Sequence, residues 1–248
     1  MASPGSRVQP KIIYKDKDFL IIDKPVHWLV HPVKDVKQAL PATSHGASRI
    51  PTLTGWLIKK YPEIKQVGDN PVWRPGIVHR LDKETSGVIL IARNQEAFEY
   101  LKKQFQEHKV KKTYLALVCG VPKEKEGVIE KPIGLKPDSL KRTVHVQKAK
   151  MVKEAITKYK VKKTLRLAQG EYALLEVMPL TGRTHQIRVH LASIGHPVVG
   201  DKLYGQKKCA LKLDRQFLHA ESLEFTASGG QRLKFSADLP EDLEKILN

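Results

Sequence analysis

The sequence predicts an α+β protein with a mainly antiparallel, mixed β-sheet and flanking helices. Strand-like segments outnumber helical ones, and they come in runs rather than in strict alternation with helices. Of the 248 residues, 41% are hydrophobic and 28% are charged, which is a balance typical of globular proteins. Because the chain shows no repeat and no Gly/Ser-rich linker, we expect one domain over residues 11–248 behind a flexible N-terminus, residues 1–10.

The first half of the chain should contain short strands and two helices. The predicted elements are, in order, strands Lys11–Tyr14 and Phe19–Asp23, a surface loop over residues 33–50, a helix Thr52–Tyr61, a strand Gly87–Ala92 and a helix that follows Asn94. Pro62 ends the first helix because proline cannot continue it. The strand Gly87–Ala92 is apolar and β-branched, which indicates burial. Asn94 is a candidate N-cap for the second helix. Its apolar face holds Ala97, Phe98, Leu101 and Phe105.

The second half should consist mostly of strands. They are predicted at Lys111–Cys119, near Val128, and at Thr143–Val146, Glu154–Tyr159, Tyr172–Met178, Leu218–Phe225 and Arg232–Phe235. In the first of these, residues alternate between two faces, so Tyr114 shares a face with Ala116 and Val118. A helix is predicted over Thr184–Ile194, closed by Gly195, because apolar residues recur there at helical spacing. A last helix should begin at Pro240.

The charge of the chain predicts a polyanionic partner. There are 44 Lys and Arg against 26 Asp and Glu, a formal net charge of +18. Nucleic acid is the leading candidate, because each phosphate that is neutralised releases counterions. Membrane headgroups fit less well, since no basic amphipathic helix or membrane-spanning run is present, and we expect no membrane association. A basic surface that serves only solubility remains a further interpretation.

Two segments concentrate the positive charge. Residues 141–163 hold nine Lys or Arg against the single acid Glu154. A second cluster consists of Lys102, Lys103, Lys109, Lys111 and Lys112. Both are candidate phosphate-tracking surfaces, although a solvated helix face or strand edge could have the same composition.

The cysteine content points to an intracellular protein. Cys119 and Cys209 are the only cysteines, which excludes a disulfide framework and any all-cysteine zinc site. The N-terminus has no apolar segment of the kind found in secretory signals. We therefore expect a reducing, cytoplasmic compartment.

The stretch Arg74–Gly87 is the first that carries chemistry. It packs His, Arg and Asp together just ahead of a buried strand, a common position for reactive groups. Asp82 lies between basic neighbours, so it should stay ionised at neutral pH, as a nucleophile must. The alternative interpretation is a loop carboxylate that only forms an ion pair with Arg80 or Lys83.

The stretch Thr181–Leu191 is the second. Arg188 lies beside the apolar stripe of the predicted helix, so its guanidinium can be partly buried and needs a carboxylate partner. His185 and His190 are five residues apart, which is not the spacing of a helical metal pair. No acidic or cysteine ligand accompanies them, and we predict no metal site.

These stretches resemble motifs of a known family. His79–Gly87, with the sequence HRLDKETSG, resembles the signature of the RluA-type pseudouridine synthases. Five further segments match motifs of that family in the same order: Ile22–Pro25, Lys112–Val118, Gly182–His190, Gly195–Asp201 with Tyr204 and Gly205, and Leu218–Ala220. The matches extend from about Lys11 to Phe235, nearly the whole chain. The resemblance implies the pseudouridine synthase catalytic fold.

The resemblance also implies roles for individual residues. Asp82 would be the catalytic aspartate, Arg188 its ion-pair partner, and Tyr114 the residue that stacks on the target base and assists proton transfer. Arg80 would enter the RNA stack when the base is flipped out, and Leu218 would line the uracil pocket. The remaining residues expected to contact substrate or RNA are His79, Arg183, His185 and Gln186. Uridine-to-pseudouridine isomerisation needs no metal, no redox cofactor and no ATP, so we expect no cofactor.

Two departures from the family pattern affect the expectations. Pro25–Leu29 lacks the glycine that members usually have soon after the proline, which puts the local turn in doubt. Many members carry an N-terminal RNA-binding domain of the S4 type, and only ten residues precede Lys11. We therefore expect that this domain is absent and that the basic surfaces of the catalytic domain, chiefly Lys141–Lys163, select the target. We also expect a monomer, with ribosomal RNA favoured over transfer RNA.

Two other classes of function stay open. A phosphotransferase that forms an aspartyl-phosphate would need a Mg²⁺ site built from further carboxylates, and the sequence has no second acidic motif to supply one. A non-catalytic RNA-binding or ribosome-assembly protein could share the fold and the charge. Against it, a pure binder has no need of Asp82, Tyr114 and Arg188 together.

Overall fold

A nine-stranded sheet and a separate three-stranded sheet form the framework of the protein. The structure, a computed structural model, describes residues 8–32, 50–137, 139, 141–205, 209–211 and 213–247. The strands are β1 Lys11–Lys15, β2 Phe19–Lys24, β3 Ser86–Ala92, β4 Lys111–Cys119, β5 Glu126–Glu130, β6 Ile133–Leu135, β7 Arg142–Thr143, β8 Lys150–Lys153, β9 Ile156–Leu167, β10 Gly170–Pro179, β11 Leu218–Thr226 and β12 Arg232–Ser236. The helices are α1 Leu53–Lys60, α2 Gln95–Gln106, α3 Gln186–Ser193 and α4 Glu241–Glu244, with a 3₁₀ helix at Pro62–Gln66.

The large sheet is mixed but mostly antiparallel, which confirms the predicted fold class. Its strand order is β1-β2-β3-β11-β4-β10-β9-β5, and β12 pairs with β11. Among the pairs of named strands that the structure describes, β3 with β11 alone is parallel, and it aligns Ser86 with His219 and Gly87 with Ala220. This pairing brings the chain that follows Asp82 into the middle of the sheet. The small sheet has the order β7-β6-β8.

Two hydrophobic clusters cover different parts of the large sheet. The first joins β2, β3, α1 and α2 around residues such as Leu20, Leu57 and Phe98. The second joins β4, β10 and α3 around residues such as Leu117, Leu175 and Leu191. Tyr114 on β4 packs against both clusters. The boundary between the clusters therefore passes beside this tyrosine, near the middle of the sheet.

Most helices and strands lie where the sequence predicts them. Helix α1 is capped by Thr52, whose hydroxyl accepts a hydrogen bond from the Gly55 amide at 3.1 Å. Helix α2 is capped by Asn94, whose side-chain oxygen accepts one from the Ala97 amide at 2.8 Å. All seven residues of β3 are buried, as expected for an apolar central strand. The predicted strands at residues 11–14, 19–23, 111–119 and 172–178 are present with small changes of boundary.

Several boundaries differ from the prediction. Helix α3 begins at Gln186 rather than at Thr184, because His185 has a left-handed φ of 57° that a helix cannot contain. The strand expected at Thr143–Val146 is reduced to β7, and the one expected at Glu154–Tyr159 extends much further as β9. Residues 33–49 of the predicted surface loop and 1–7 of the predicted flexible N-terminus lie outside the described residues. Residue 8 is described, and its carbonyl accepts the Trp28 indole N–H at 3.0 Å.

The two cysteines are joined by a disulfide. Cys119, at the end of β4, pairs with Cys209, and their Cα atoms are 5.7 Å apart. The sequence predicts a reducing compartment, in which disulfides are rare, so this bond was not expected. The partners are 90 residues apart in sequence, so no local pattern indicates that they meet. Separately, none of the described helices has the length and apolar character needed to cross a membrane.

Candidate active site

A cleft of about 700 Å³ opens at the boundary between the two hydrophobic clusters. It is lined by the loop that precedes β3, by β4 and β11, and by the segment that enters α3. All nine residues that the sequence analysis selects line this one cleft: His79, Arg80, Asp82, Tyr114, Arg183, His185, Gln186, Arg188 and Leu218. The fold thus brings together motifs that are more than 100 residues apart in sequence. Among the described residues, no group of three or more His, Cys, Asp or Glu side chains is arranged to hold a metal.

Asp82 and Arg188 form the central ion pair of the cleft. The Arg188 NH1 group donates to Asp82 Oδ2 at 2.9 Å, and their side chains are 7% and 17% exposed. Arg188 also donates through Nε and NH2 to both oxygens of Asp201, at 2.7 and 2.9 Å. This two-point contact fixes the plane of the guanidinium and aims its third nitrogen at Asp82.

The charges of the Arg188–Asp201 pair stabilise each other. Burial alone would lower the pKa of Arg188, but its hydrogen bonds to Asp201 and the negative charges of both aspartates raise it above its usual range. Burial alone would raise the pKa of Asp201, but the hydrogen bonds and the charge of Arg188 lower it. The Leu203 and Tyr204 amides also donate to Asp201 Oδ1, at 2.8 and 3.1 Å. Arg188 is therefore a permanently charged group whose position the surrounding fold determines.

His185 and Tyr204 surround the pair. The Arg188 guanidinium lies over the Tyr204 ring at 5.2 Å. The Tyr204 hydroxyl accepts the Arg142 amide at 2.8 Å and lies 3.0 Å from His185 Nδ1. Burial lowers the pKa of His185, although the charge of Asp82 acts in the opposite direction. We assign the hydroxyl as donor to Nδ1, which puts the imidazole proton on Nε2, 4.0 Å from Asp82 Oδ2.

Tyr114 and Leu218 form the apolar wall of the cleft. They lie on the adjacent strands β4 and β11, where Leu218 is opposite Ala116 and Tyr114 is opposite Ala220. Leu218 is only 3% exposed. Burial, and then the charge of Asp82, raise the pKa of Tyr114 above its usual range. Its phenol is therefore neutral at physiological pH, and its ring is available to stack on a planar ligand.

His79 makes a hydrogen bond and a ring contact that the amino-acid sequence does not predict. Its Nε2 accepts the Leu90 amide at 2.9 Å, and its ring stacks on Phe105 with 4.7 Å between the centroids. Burial, with a smaller effect of Lys112, lowers the pKa of His79 to about 3. A neutral imidazole cannot attract phosphate by its charge. The structure thus shows His79 fastening the Asp82 loop to β3, and its contact with RNA stays a prediction.

Gln186 and Arg183 hold the turn that leads into α3. The Gln186 oxygen accepts from the Thr181 hydroxyl at 2.7 Å and from the Arg183 amide at 2.9 Å. Its nitrogen donates to Ile156 O and Thr157 Oγ1, both at 3.0 Å. Because both lone pairs and both hydrogens of this amide are already used, Gln186 has a structural role here, and its contact with RNA stays a prediction. Arg183 donates to the Glu154 carbonyl at 2.9 Å and remains partly exposed at the cleft.

Arg80 and Lys112 are cationic groups of the cleft. Arg80 is exposed, as a side chain that contacts a bound polymer requires. Lys112 donates to the Thr181 carbonyl at 2.9 Å. Burial, and then the charge of Arg183, lower the pKa of Lys112 to about 8. Lys112 belongs to the second basic cluster, but it faces the cleft instead of the open surface of α2.

The turn that lacks the usual glycine keeps a left-handed conformation. His27 has a φ of 67°, a value that favours glycine, and its amide donates to the Lys83 carbonyl at 2.9 Å. This bond connects the turn to the residue that directly follows Asp82. The doubt about the local turn is therefore resolved, because histidine adopts the conformation itself.

Asp201 and Tyr204 belong to the site but are not among the residues predicted for it. Both lie within the motif of Gly195–Asp201 with Tyr204 and Gly205, so the sequence contains a signal for them. The burial argument for Arg188 also required a carboxylate partner. Arg188 in fact contacts two carboxylates, and the second is the more deeply buried, with 0% of the Asp201 side chain exposed.

Comparison with known proteins identifies the family of the chain. A family model described as RNA pseudouridylate synthase matches residues 18–193. The chain therefore belongs to the RNA pseudouridylate synthase family. It is similar to a solved structure, Human RNA Pseudouridylate Synthase Domain Containing 1, with 27% identity, a TM-score of 0.73, and coverage of 96% of this chain and 87% of the human one.

Two bacterial relatives are more similar in sequence. An uncharacterized RNA pseudouridine synthase of Chloroflexus aurantiacus is 41% identical, over 91% of this chain and 64% of that protein. The Ribosomal large subunit pseudouridine synthase D of Nitrosomonas europaea is 40% identical, over 96% of this chain and 64% of that protein. The chain thus spans less than two thirds of the length of both relatives.

Proposed function

We propose that this protein isomerises uridine to pseudouridine in structured RNA. The observation that carries the proposal is the Asp82 carboxylate, held at 2.9 Å by the buried Arg188 in a cleft with an aromatic wall. Uridine isomerisation needs a carboxylate beside the ribose, a flat pocket for the base, and a surface for the RNA backbone. Each has a counterpart among the residues of this cleft.

Asp82 is the group proposed to act on the nucleotide. In the reaction the N1–C1′ bond breaks, the uracil turns, and a C5–C1′ bond forms. The C5 proton is released and N1 gains a proton, so the overall change is an isomerisation. The carboxylate can serve this sequence by attack at C1′ or by removal of a C2′ proton. In both routes the contact with Arg188 fixes the orientation of the Asp82 carboxylate.

Tyr114 and Leu218 are proposed to receive the flipped base. The reacting atoms of a stacked uridine are inaccessible, so the nucleotide must leave its helix and enter a pocket. The neutral Tyr114 ring would stack on the uracil, and Leu218 would close the pocket beside it. Arg80 lies two residues before Asp82 and is exposed, and it would occupy the space that the base leaves in the RNA.

The basic segment 141–163 divides into two surfaces in the structure. Lys148, Lys150 and Lys153 belong to the small-sheet region, which reaches the active site through the hydrogen bond between the Arg142 amide and Tyr204. Lys158, Lys160 and Lys162 are exposed on β9. There Lys160 pairs in register with Glu126 and Glu176, and Lys162 forms an ion pair with Glu176 at 3.4 Å. We therefore propose that the small-sheet region contributes more to RNA binding than β9.

Ribosomal RNA is the proposed substrate class. Two relatives, 40% and 33% identical, carry the name Ribosomal large subunit pseudouridine synthase D. Transfer RNA is the alternative, and the same assay separates the two. We further propose that the protein acts as a monomer in the cytoplasm, without a nucleotide cofactor.

The test is release of tritium from C5-tritiated uridine. Wild type and Asp82→Asn would be incubated, without ATP or added metal, with unmodified ribosomal RNA and separately with transfer RNA. We expect wild type alone to release tritium, and to do so preferentially from ribosomal RNA. Preference for transfer RNA would change the substrate class but not the reaction.

Two outcomes would contradict the proposal. Undiminished release by Asp82→Asn would remove Asp82 from the reaction. No release by wild type from either RNA, with binding intact in a gel-shift assay, would favour a non-catalytic RNA-binding protein. The aspartyl-phosphate alternative predicts label on wild type after incubation with γ-labelled ATP and Mg²⁺, and none on Asp82→Asn.

A further inference from the structure

A second buried arginine contacts the segment that directly follows Asp82. Arg215 is 3% exposed and lies in the segment that precedes β11. Its NH1 group is 3.1 Å from Ser86 Oγ and 3.4 Å from the Glu84 carbonyl, both in the segment that follows Asp82. Arg215 does not line the cleft. A buried guanidinium requires a group that compensates its charge. The identity of that group indicates the structural role of the arginine.

The partner of Arg215 comes from the C-terminal helix. Asp242 on α4 accepts from Arg215 Nε at 2.6 Å and from NH2 at 2.9 Å. Next to it, Leu243 is 1% exposed and packs in the second hydrophobic cluster, which anchors the helix. The two-point contact fixes the plane of the guanidinium, so NH1 is directed at the loop.

The loop segment that Arg215 contacts is connected to Asp82 by short steps. The Thr85 amide donates to the Asp82 carbonyl at 3.1 Å, and the Thr85 hydroxyl accepts from Gln216 at 2.7 Å. Ser86 Oγ also lies 2.9 Å from His219 Nδ1. At Gly87, a Cβ atom would lie 2.2 Å from the Ala220 carbonyl, so the backbone here is in close contact with β11. A displacement of residues 84–86 would therefore change the direction of the Asp82 carboxylate.

We propose that Asp242 is a positioning residue, which acts through Arg215 to hold the loop that carries Asp82. The proposal rests on the proposed isomerase function for its kinetic readout. Asp242 touches neither substrate nor Asp82. Its carboxylate orients Arg215, Arg215 holds Glu84 and Ser86, and these residues fix the turn that starts at Asp82.

The experiment compares Asp242→Asn, Asp242→Glu and Glu241→Gln with wild type. Glu241 is the matched control, because it lies on the same helix and, among the described residues, its carboxylate forms an ion pair with the exposed Lys245 alone. We expect Asp242→Asn to lower kcat about tenfold while KM for the RNA stays within about twofold. Asp242→Glu should restore most of kcat, and Glu241→Gln should equal wild type. An unchanged kcat for folded Asp242→Asn, or a change confined to KM, would overturn the proposal.

Two further measurements test the positioning role if Asp242→Asn does not fold or if the wild type shows no turnover. If Asp242→Asn does not fold, Ser86→Ala removes the loop end of the contact while the Arg215–Asp242 pair remains, and a kcat equal to wild type would overturn the proposal. Hydrogen exchange at the Thr85 amide, measured without RNA, should be faster in Asp242→Asn than in Glu241→Gln. Equal exchange in the two variants would also contradict it. Because this readout needs no turnover, an inactive wild type would overturn the proposed isomerase function and leave the positioning role testable.

Discussion

Two buried arginines contact the Asp82 loop at different residues, and only one of them touches the Asp82 carboxylate. In the front pair, Arg188–Asp201, Nε and NH2 bind the aspartate while NH1 reaches the Asp82 carboxylate. In the rear pair, Arg215–Asp242, the same two nitrogens bind the aspartate while NH1 reaches Ser86 and the Glu84 carbonyl. The arrangement is the same, but only the front pair touches the proposed reacting group.

The pairs also differ in contact with water. The Asp201 side chain is 0% exposed, whereas that of Asp242 is 53% exposed. An ion pair removed from water interacts more strongly and leaves a larger penalty when one partner is lost. At the rear pair, water can replace part of a missing carboxylate. Two ion pairs of similar geometry therefore contribute differently to stability, and we expect larger effects from substitutions in the front pair.

The largest effect is expected at the front arginine. Arg188→Ala should lower turnover by about 10³-fold or more, because Asp82 loses the group that orients it. RNA binding should weaken only modestly, about threefold or less, since the Arg188 side chain is only 7% exposed and offers little surface to phosphates. Tritium release and gel-shift titration would measure the two effects. Near-normal turnover would show that the front pair does not support the chemistry.

The second largest effect is expected on the free energy of unfolding, and it should differ between the two aspartates. Asp201→Asn should lower the free energy of unfolding by about 2–4 kcal/mol, because it leaves a buried guanidinium without its full counter-charge. Asp242→Asn should lower it by about 1 kcal/mol, because Arg215 is buried but the Asp242 carboxylate is half exposed, so water can replace part of the lost contact. Urea denaturation of both variants would provide the values. Equal losses would contradict the assignment of the front pair as the drier one.

The stability that the front pair contributes should depend on pH. Arg188 lowers the pKa of Asp201 against the effect of burial, so its folded-state pKa lies below the unfolded one. Such a group contributes stability above its unfolded pKa of about 4, and this contribution is lost as the pH falls through the folded-state pKa. The difference in Tm between wild type and Asp201→Asn should therefore be largest between about pH 5 and 7 and shrink toward pH 3. A difference independent of pH would contradict this linkage.

The smallest effect on chemistry is expected from the basic surfaces, which touch neither pair. Lys148, Lys150 and Lys153 changed together to Gln should weaken RNA binding and reduce the salt slope by about 2–3, with kcat unchanged. The β9 set Lys158, Lys160, Lys162 and Lys163 should have a weaker effect, because glutamates lie beside two of these lysines and Lys163 donates to the Leu247 carbonyl. Salt-dependent binding isotherms would test this order, and the reverse order would make β9 the main RNA surface.

Much of the active site could be predicted from the sequence. The apolar run of β3 and the caps Thr52 and Asn94 are local patterns, and the structure has each of them. The strand β4 is also present, although Ala116, Leu117 and Val118 are buried on both of its faces. Asp82, Tyr114 and Arg188 were selected from motifs, and they line one cleft. The need of Arg188 for a carboxylate also followed from the sequence, because a charge beside an apolar helix face must be compensated.

The tertiary structure decided which groups meet. That Arg188 divides its donors between Asp82 and Asp201, and that Arg215 connects α4 to the same loop, depends on strand order and not on local pattern. The disulfide Cys119–Cys209 and the glutamates beside β9 have the same origin. Periodicity and composition act over a few residues, so they determine elements and their buried faces. Pairings across 100 residues arise only when those faces pack, and packing here determined where His79 and Gln186 make their hydrogen bonds.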